Sequence, residues 1–501
     1  MDEVKKEKGI KCGTMPVLMD YLVDHNTDAN TVDCFLAAFT AFTTADEIWS
    51  ILENKYRHYR SNNIPPGKAK VLGFLWEWIN QDLHRDFLAR VKKSSSVFLY
   101  DELLRFIASF EDKETINKWK LHILKSAAAR ASRKERKVRL RTSDNLDMNN
   151  LSLSSNSGPI GGSAPIRRPT PNVLSAPLPA PPKRITMTLS TTTYNPISPT
   201  SSGSLLTEPS MSNIFGAVAS EKVYEMNKVT FADIEPADAA KQLTLLESGI
   251  FQKINHTEFH HLNWKKEDGK KISPHILNLV DRFNTVSYWV STEIVIQSEL
   301  KERVNVLRKF IIIAEHLRDL GNYNGVMEII AGLNSFVITR LQSTWAQTPQ
   351  RYVTSFNDLN QLMESRSNYR DYRLHMRDRK LPVVPYLGVI LRDVLFIEEG
   401  NKNYVGDSKE GIFNFEKIQL LGEVLSNVRR QQEVGYGFET IPALQNYFKT
   451  LISFPEEVLY KQSLMCEPNA ASSGNSPAAS SSEFNQSPSL SESQSTASSM
   501  L

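Results

Sequence analysis

Leu381-Pro-Val-Val-Pro-Tyr-Leu-Gly-Val-Ile-Leu-Arg-Asp-Val-Leu-Phe-Ile-Glu-Glu-Gly-Asn401 is the stretch whose reading decides the fold. Pro385 in the first turn and Gly400 at the end bound a predicted helix over 385–400. Leu387, Ile390, Leu391, Val394 and Leu395 cover one side, while Tyr386, Val389, Phe396 and Ile397 cover much of the rest. A helix apolar nearly all round must be buried by its own domain or by a partner. Directly after it, Ile412, Phe415, Ile418, Leu421, Leu425 and Val428 recur at helical spacing. A second helix is therefore predicted, and with it a helical hairpin. Periodicity alone is equally compatible with plain core packing.

The wording of the hairpin goes further. Pro385-Tyr-Leu-Gly-Val, Leu391-x-Asp-x-x-Phe-Ile-x-Glu-Gly-Asn401 and Asn414-Phe-Glu-Lys417 resemble the signature of the Ras-family guanine-nucleotide exchange factors. Ala240-Lys-Gln-Leu-Thr-Leu-Leu-Glu247 is similar to the first helix of that catalytic domain, and Arg282-Phe-Asn-Thr-Val-Ser-Tyr-Trp-Val-Ser-Thr-Glu293 to its second block. Leu320-Gly-Asn-Tyr-Asn-Gly-Val-Met327, Gly332-Leu-Asn-Ser335, Asn368-Tyr-Arg-Asp-Tyr372 and Phe454-Pro455 follow in the same order. The resemblance covers Ile234 to about Cys466.

Outward from this region, the 501-residue chain is long enough for more than one core. Its 41% hydrophobic and 23% charged content are those of an ordinary soluble protein. A net charge of +3 signals neither a nucleic-acid coat nor an acidic substrate. Cys12, Cys34 and Cys466 are too scattered for a disulfide framework or a cysteine zinc site, which predicts a reducing, cytoplasmic setting. The charged N-terminus does not read as a secretory signal. Phe310-Ile-Ile-Ile-Ala314 is far short of a membrane span.

Upstream, residues 12–130 carry helical periodicity through Phe35, Phe39 and Phe42, then Ile48, Leu52, Tyr56 and Tyr59, then Leu72, Leu75, Trp76 and Ile79. Asn63-Ile-Pro-Pro-Gly67 reads as a loop, and Thr43-Thr-Ala-Asp46 as a helix start. From the residues alone this is an all-helical bundle. Gly13-Thr-Met-Pro-Val-Leu-Met-Asp-Tyr-Leu22, Phe35-Leu-Ala-Ala-Phe-Thr-Ala-Phe-Thr-Thr44, Trp78-Ile79 and Leu103-Leu-Arg-Phe106 resemble the exchanger-motif domain that accompanies such catalytic domains. The expected organisation is all-α. A flexible stretch over 1–11 precedes the N-terminal helical bundle over 12–130. A disordered linker over 131–222 joins it to a larger helical catalytic domain over 223–466, with a protruding hairpin and a Ser-rich tail over 467–501.

Within the linker, residues 130–141 form a basic run, read as a solvated helix end, a contact with anionic lipid, or a nuclear address. The segment that follows, rich in Ser, Thr and Pro, has too little apolar area to offset its ordering entropy. Leu178-Pro-Ala-Pro-Pro-Lys-Arg184 has the form of a ligand for a polyproline-binding adaptor, and Arg167-Arg-Pro-Thr170 that of a basophilic kinase site, against a plain-linker reading for both.

No Gly-x-x-x-x-Gly-Lys-Ser/Thr loop or Gly-x-Ser-x-Gly elbow occurs, so neither a nucleotide cradle nor a serine hydrolase is predicted. His256, Glu258 and His260 lack the His-Glu-x-x-His order, and no cofactor or metal is expected. What remains is a surface that works by binding.

The resemblance implies what that surface does. In the family the hairpin is inserted between the two switch regions of a Ras-like GTPase. Carried over by motif position, Leu395 presses into the magnesium position, Glu399 faces the phosphate-binding groups, and Gly400 and Asn401 fix the turn. Val280, Met327, Asn334, Tyr369 and Tyr386 would anchor the switch after the P-loop, although Val280 and Met327 alone read as core. Arg392 replaces the small polar residue of many members that act on Ras, and resembles the Lys of members that act on Rap or on both. The implied partner is a Ras-subfamily GTPase, Ras or Rap, reached by recruitment to the inner face of the plasma membrane. A catalytically silent adaptor of the same fold should lose Glu399 or Asn334; both are present. An effector would instead prefer the GTP-bound form.

Overall fold

The computed structural model describes residues 5–6, 9–24, 27–82, 86–87, 99–110, 113–125, 224–226, 228–407 and 411–468. The basic run over 130–141, the kinase-type and proline-rich motifs of the linker and the Ser-rich tail lie outside the described residues. The protein is all-α. Among the described residues the strands are two-residue pieces: β1 (Lys5–Lys6) with β2 (Gly9–Ile10), and β3 (Cys12–Gly13) with β4 (Phe413–Asn414).

Contacts divide the chain into two compact units, Met1–Phe74 with Glu221–Leu501, and Leu75–Ser220. The N-terminal helices are α1 (Met15–Asp24), α2 (Ala29–Ala38), α3 (Ala45–Ser61) and α4 (Pro65–Asp82), followed by α5 (Leu99–Ala108) and α6 (residues 113–125). As the sequence predicts, Thr44 caps α3 by accepting from Glu47 N at 3.2 Å. The expected loop over 63–67 is shorter than its composition suggests. Pro65 opens α4, because a proline at the first helical position gives up no hydrogen bond and already has helical φ. In the Leu75–Ser220 unit, Trp78 is fully buried and donates to Asp86 Oδ2 at 2.7 Å, while Trp76 stacks on His122 at 3.5 Å.

The rest of the chain builds α7 (Pro236–Phe251), α8 (Gly269–Ile272), α9 (Pro274–Val295), α10 (Leu300–Leu320), α11 (Tyr323–Leu333), α12 (Phe336–Thr339), α13 (Gln342–Ala346) and α14 (Gln350–Leu362). Then come α15 (Arg366–Arg377), α16 (Leu387–Gly400), α17 (Phe415–Glu433), α18 (Pro442–Lys449) and α19 (Glu456–Cys466). The core lies where α7, α9, α10 and α11 meet. Trp289 meets Phe310 edge-on at 5.0 Å, and Phe231 stacks on Phe310 at 4.5 Å. Phe310, Ile311, Ile313 and Ala314 are buried there, which is where the most apolar run of the sequence goes. Among the described residues no helix is long and apolar enough to cross a membrane.

Glu258 explains the histidine-flanked motif. It accepts from the backbone N–H of Asn255, His275 and Ile276 at 3.1, 2.9 and 3.1 Å, capping the start of α9, and lies 2.8 Å from His275 Nδ1. One residue past α19, Glu467 accepts from Ser343 N, Thr344 N and Thr344 Oγ1 at 2.9, 2.9 and 2.7 Å. The C-terminal helix is thereby fastened to the start of α13.

Candidate functional site: the α16–α17 hairpin

The hairpin forms as predicted, with shifted ends. Helix α16 begins at Leu387 rather than Pro385, because the segment before it is held extended. Tyr323 N donates to Val384 O at 2.9 Å and Val384 N to Gly321 O at 3.0 Å, which pins residues 381–386 against the start of α11. Helix α17 begins at Phe415, capped by Asn414, whose Oδ1 accepts from Lys417 N at 3.2 Å. Ile412 lies ahead of it, accepting from Val405 N at 2.9 Å in the connecting loop.

Burial sorts the residues of α16. Leu387, Val389, Ile390, Leu391 and Val394 are buried, Leu395 is half-buried, Phe396 is 53% exposed and Glu399 is exposed. Exposure of Phe396 shows that the domain itself buries α16 on one side and leaves part of its apolar surface uncovered. Asn401 ends the helix, its Nδ2 donating to Ile397 O at 3.1 Å.

Of the two adjacent acids, Glu398 is the one tied into the fold. Lys417 Nζ lies 2.6 Å from Glu398 Oε2 and 2.6 Å from Asn403 Oδ1, joining both helices and their connection. The Lys417 side chain is 2% exposed and that of Glu398 8%. Glu398 Oε1 also accepts from His261 N at 3.1 Å, at a point where His261 and Leu262 run left-handed, with φ of 50° and 55°. Glu399, the next residue, makes no ion pair among the described residues.

A second left-handed turn flanks α16. Ser367, Asn368 and Tyr369 have φ of 49°, 58° and 57°, a costly conformation for non-glycine residues. Arg373 holds that turn to the hairpin. Its Nε donates to Asn368 O at 2.7 Å, while Nη1 and Nη2 grip Asp393 Oδ2 and Oδ1 at 2.9 and 2.7 Å. The turn brings the Tyr369 ring edge-on to Tyr386 at 5.8 Å. The Tyr386 hydroxyl is pushed up by burial, with Tyr369 adding to the effect, so it stays neutral. A Cβ at residue 388 would collide with the folded-back Tyr386 ring, so Gly388 makes room for it. The Arg392 guanidinium lies over Tyr369 at 5.8 Å and over Phe396 at 5.2 Å.

Of the expected site residues, Tyr369 of α15, Tyr386 just before α16 and Arg392 on α16 thus come together, and α16 also carries Leu395 and Glu399, with Asn401 at its end. Val280 and Met327 are half-buried on α9 and α11, which pack on each other. Asn334 is exposed at the end of α11, its Nδ2 donating to Asn360 Oδ1 at 2.7 Å. Nothing in the amino-acid order marks Glu398, Asn403, His261 or Arg373, whereas Lys417 stands in the Asn414–Lys417 motif, which names no partner for it.

The outer face of α17 is covered by N-terminal residues. A Cβ at residue 422 would collide with the Cys34 carbonyl, so Gly422 permits close backbone contact between α2 and α17. Burial, with Glu423 and Asp33 adding to it, pushes the Cys34 thiol up to about 12, which keeps it protonated. Asp33 bonds both Ser426 and Arg429. Cys12 pairs with Asn414 and Gly13 with Phe413 across β3–β4, and Phe415 N donates to Lys11 O at 3.0 Å. Phe415, Ile418, Leu421 and Leu425 are completely buried, each contributing about 1.5–3 kcal/mol. That burial outweighs the partly exposed Asp33–Arg429 pair as the source of the brace.

Comparison with known proteins matches residues 238–419 to the RasGEF domain. Three Dictyostelium discoideum proteins are among the curated relatives. Ras guanine nucleotide exchange factor Q is 40% identical over 239 residues, covering 48% of this chain and 18% of that protein. Factor M is 38% identical over 246 residues, with 48% and 26% covered. Factor A is 34% identical over 257 residues, with 49% and 42% covered. The chain therefore spans less than half the length of each of these relatives. The matched stretch runs from α7 through α16 into the first turn of α17, and over it the chain is similar to the RasGEF domain.

Proposed function

We propose that this chain is a guanine-nucleotide exchange factor that promotes GDP release and GTP loading on a Ras-subfamily small GTPase, Ras or Rap. The observation that carries the reading is the division of labour along α16. Its buried face and Glu398 are locked into the protein, while Leu395, Phe396 and Glu399 stand toward the other side.

In this reading the hairpin enters between the switch regions of the GTPase. Leu395 brings an apolar side chain to the magnesium position, and Glu399 offers a carboxylate to the groups that hold phosphate. Asn401 closes the helix end that aims them. Hairpin and nucleotide then bind with opposed preferences, so each lowers the affinity of the other by the same factor. No covalent bond is made or broken. Val280, Met327, Asn334, Tyr369 and Tyr386 anchor the switch that follows the P-loop, and Arg392 bears on the choice between Ras and Rap. The linker is the proposed place for an adaptor or a kinase to act, and residues 130–141 for peripheral contact with the plasma membrane.

Affinity for three states of one GTPase separates this function from its rivals. An exchange factor binds the nucleotide-free form tightest. Preference for the GTP-bound form would identify an effector, and nucleotide-insensitive binding without release a silent adaptor.

A further inference from the structure

Three ionisable side chains are shut in beneath the root of α16. Glu247 on α7 and Glu328 on α11 are completely buried, and Arg282 on α9 places Nε 4.0 Å from Glu247 Oε1. Arg282 Nη1 also donates to Phe448 O at 3.1 Å. Two carboxyls and one guanidinium are neutral together only when one carboxyl keeps its proton. Burial pushes both acids up. Glu328 rises further because Glu247 faces it, while Arg282 draws both back down. Glu328 and the Asn322 and Asn324 amides face the Glu247 carboxyl and hold it lower than burial alone would.

That arrangement fixes a neighbour. Asn324 is buried and donates Nδ2 to Glu328 Oε1 at 2.9 Å, so its own Oδ1 must face the other way. There it meets Leu387 N at 3.4 Å. Leu387 is the first residue of α16, whose N–H has no partner within the helix.

We propose that Asn324 is a positioning residue for nucleotide exchange: held in one amide orientation by Glu328, its side-chain oxygen takes the first N–H of α16 and sets the direction in which the hairpin leaves the domain body. The proposal rests on the exchange reading above. It adds a control point buried away from the GTPase.

The test measures GDP release at saturating and sub-saturating concentrations of a purified Ras or Rap, with the full chain and its Asn324→Ala, Glu328→Gln and Glu328→Leu variants. Asn324→Ala is expected to lower kcat about tenfold, as a small misplacement of an acting group does, with KM changed much less. Glu328→Leu should behave similarly. Glu328→Gln keeps an acceptor for Asn324 and should retain the wild-type rate near neutral pH. An unchanged kcat in a folded Asn324→Ala, or a Glu328→Gln that loses as much rate as Glu328→Leu, overturns the proposal. Should Asn324→Ala fail to fold, the comparison of Glu328→Gln with Glu328→Leu decides alone. Absence of wild-type exchange on every Ras or Rap tried overturns the exchange reading itself, and this proposal with it.

Discussion

Lys417 on α17 and Glu398 on α16 form a buried ion pair, Nζ to Oε2 at 2.6 Å, that latches one helix of the hairpin to the other. Asn403 and the His261 N–H complete the shell around it. The acid next in sequence, Glu399, is left exposed. This relationship sets which of the two carboxylates is structural.

Removing one partner strands the other charge in a dry site. Lys417→Met or Glu398→Leu should each cost about 3–5 kcal/mol. The double variant Lys417→Met/Glu398→Leu should cost less than the two costs summed, since no charge is then left buried. Chemical denaturation of the four proteins measures the coupling. Simple additivity would mean that the pair does not act as a unit.

Close contact between α2 and α17 depends on the missing side chain at residue 422. Gly422→Val forces the helices apart and should destabilise by about 1–3 kcal/mol or more. Exchange should fall with it, because the brace fixes the base of the hairpin. Thermal melting and GDP release on the same sample check both parts. Loss of stability with unaltered exchange would show that the brace is dispensable for activity.

The sign of the pH dependence follows from the buried carboxyls. Glu328 and Glu247 titrate above the ordinary glutamate value of 4.5 because burial penalises their charge. Their contribution to stability is therefore full below about 4.5 and is lost as pH rises through the elevated folded-state value. Denaturation midpoints should fall from mildly acidic toward alkaline pH, and Glu328→Gln should flatten that decline. A wild-type midpoint that rises over the same range would contradict the burial argument.

Much of this architecture is legible in the amino-acid order. The apolar density of Leu387–Leu395 and the spacing of Phe415, Ile418, Leu421, Leu425 and Val428 specify two buried helices whatever surrounds them. Boundaries are less legible where a long-range bond competes with local propensity. Pro385 reads as a helix start, yet the pairing of Val384 with residues near 322 keeps that segment extended. Ile412 fits the helical repeat but serves the loop. The latch was invisible for a different reason: Glu398 and Lys417 stand on opposite sides of a loop, and no periodicity links them. The same holds for Arg373 and Asp393, and for the left-handed turn at Ser367–Tyr369, where no glycine marks the backbone.

On the exchange reading, the exposed side of α16 expels nucleotide. Release of fluorescent GDP from purified Ras, Rap, Ral and Rho-class GTPases tests this, with wild type beside a Leu395→Ala, Glu399→Ala variant. Wild type should release GDP rapidly from a Ras-subfamily member and the variant should lose nearly all of that release, with melting lowered only slightly because Leu395 is half-buried and neither side chain is part of the latch. Release that survives the double substitution, or no release by wild type from any of these GTPases, would contradict it.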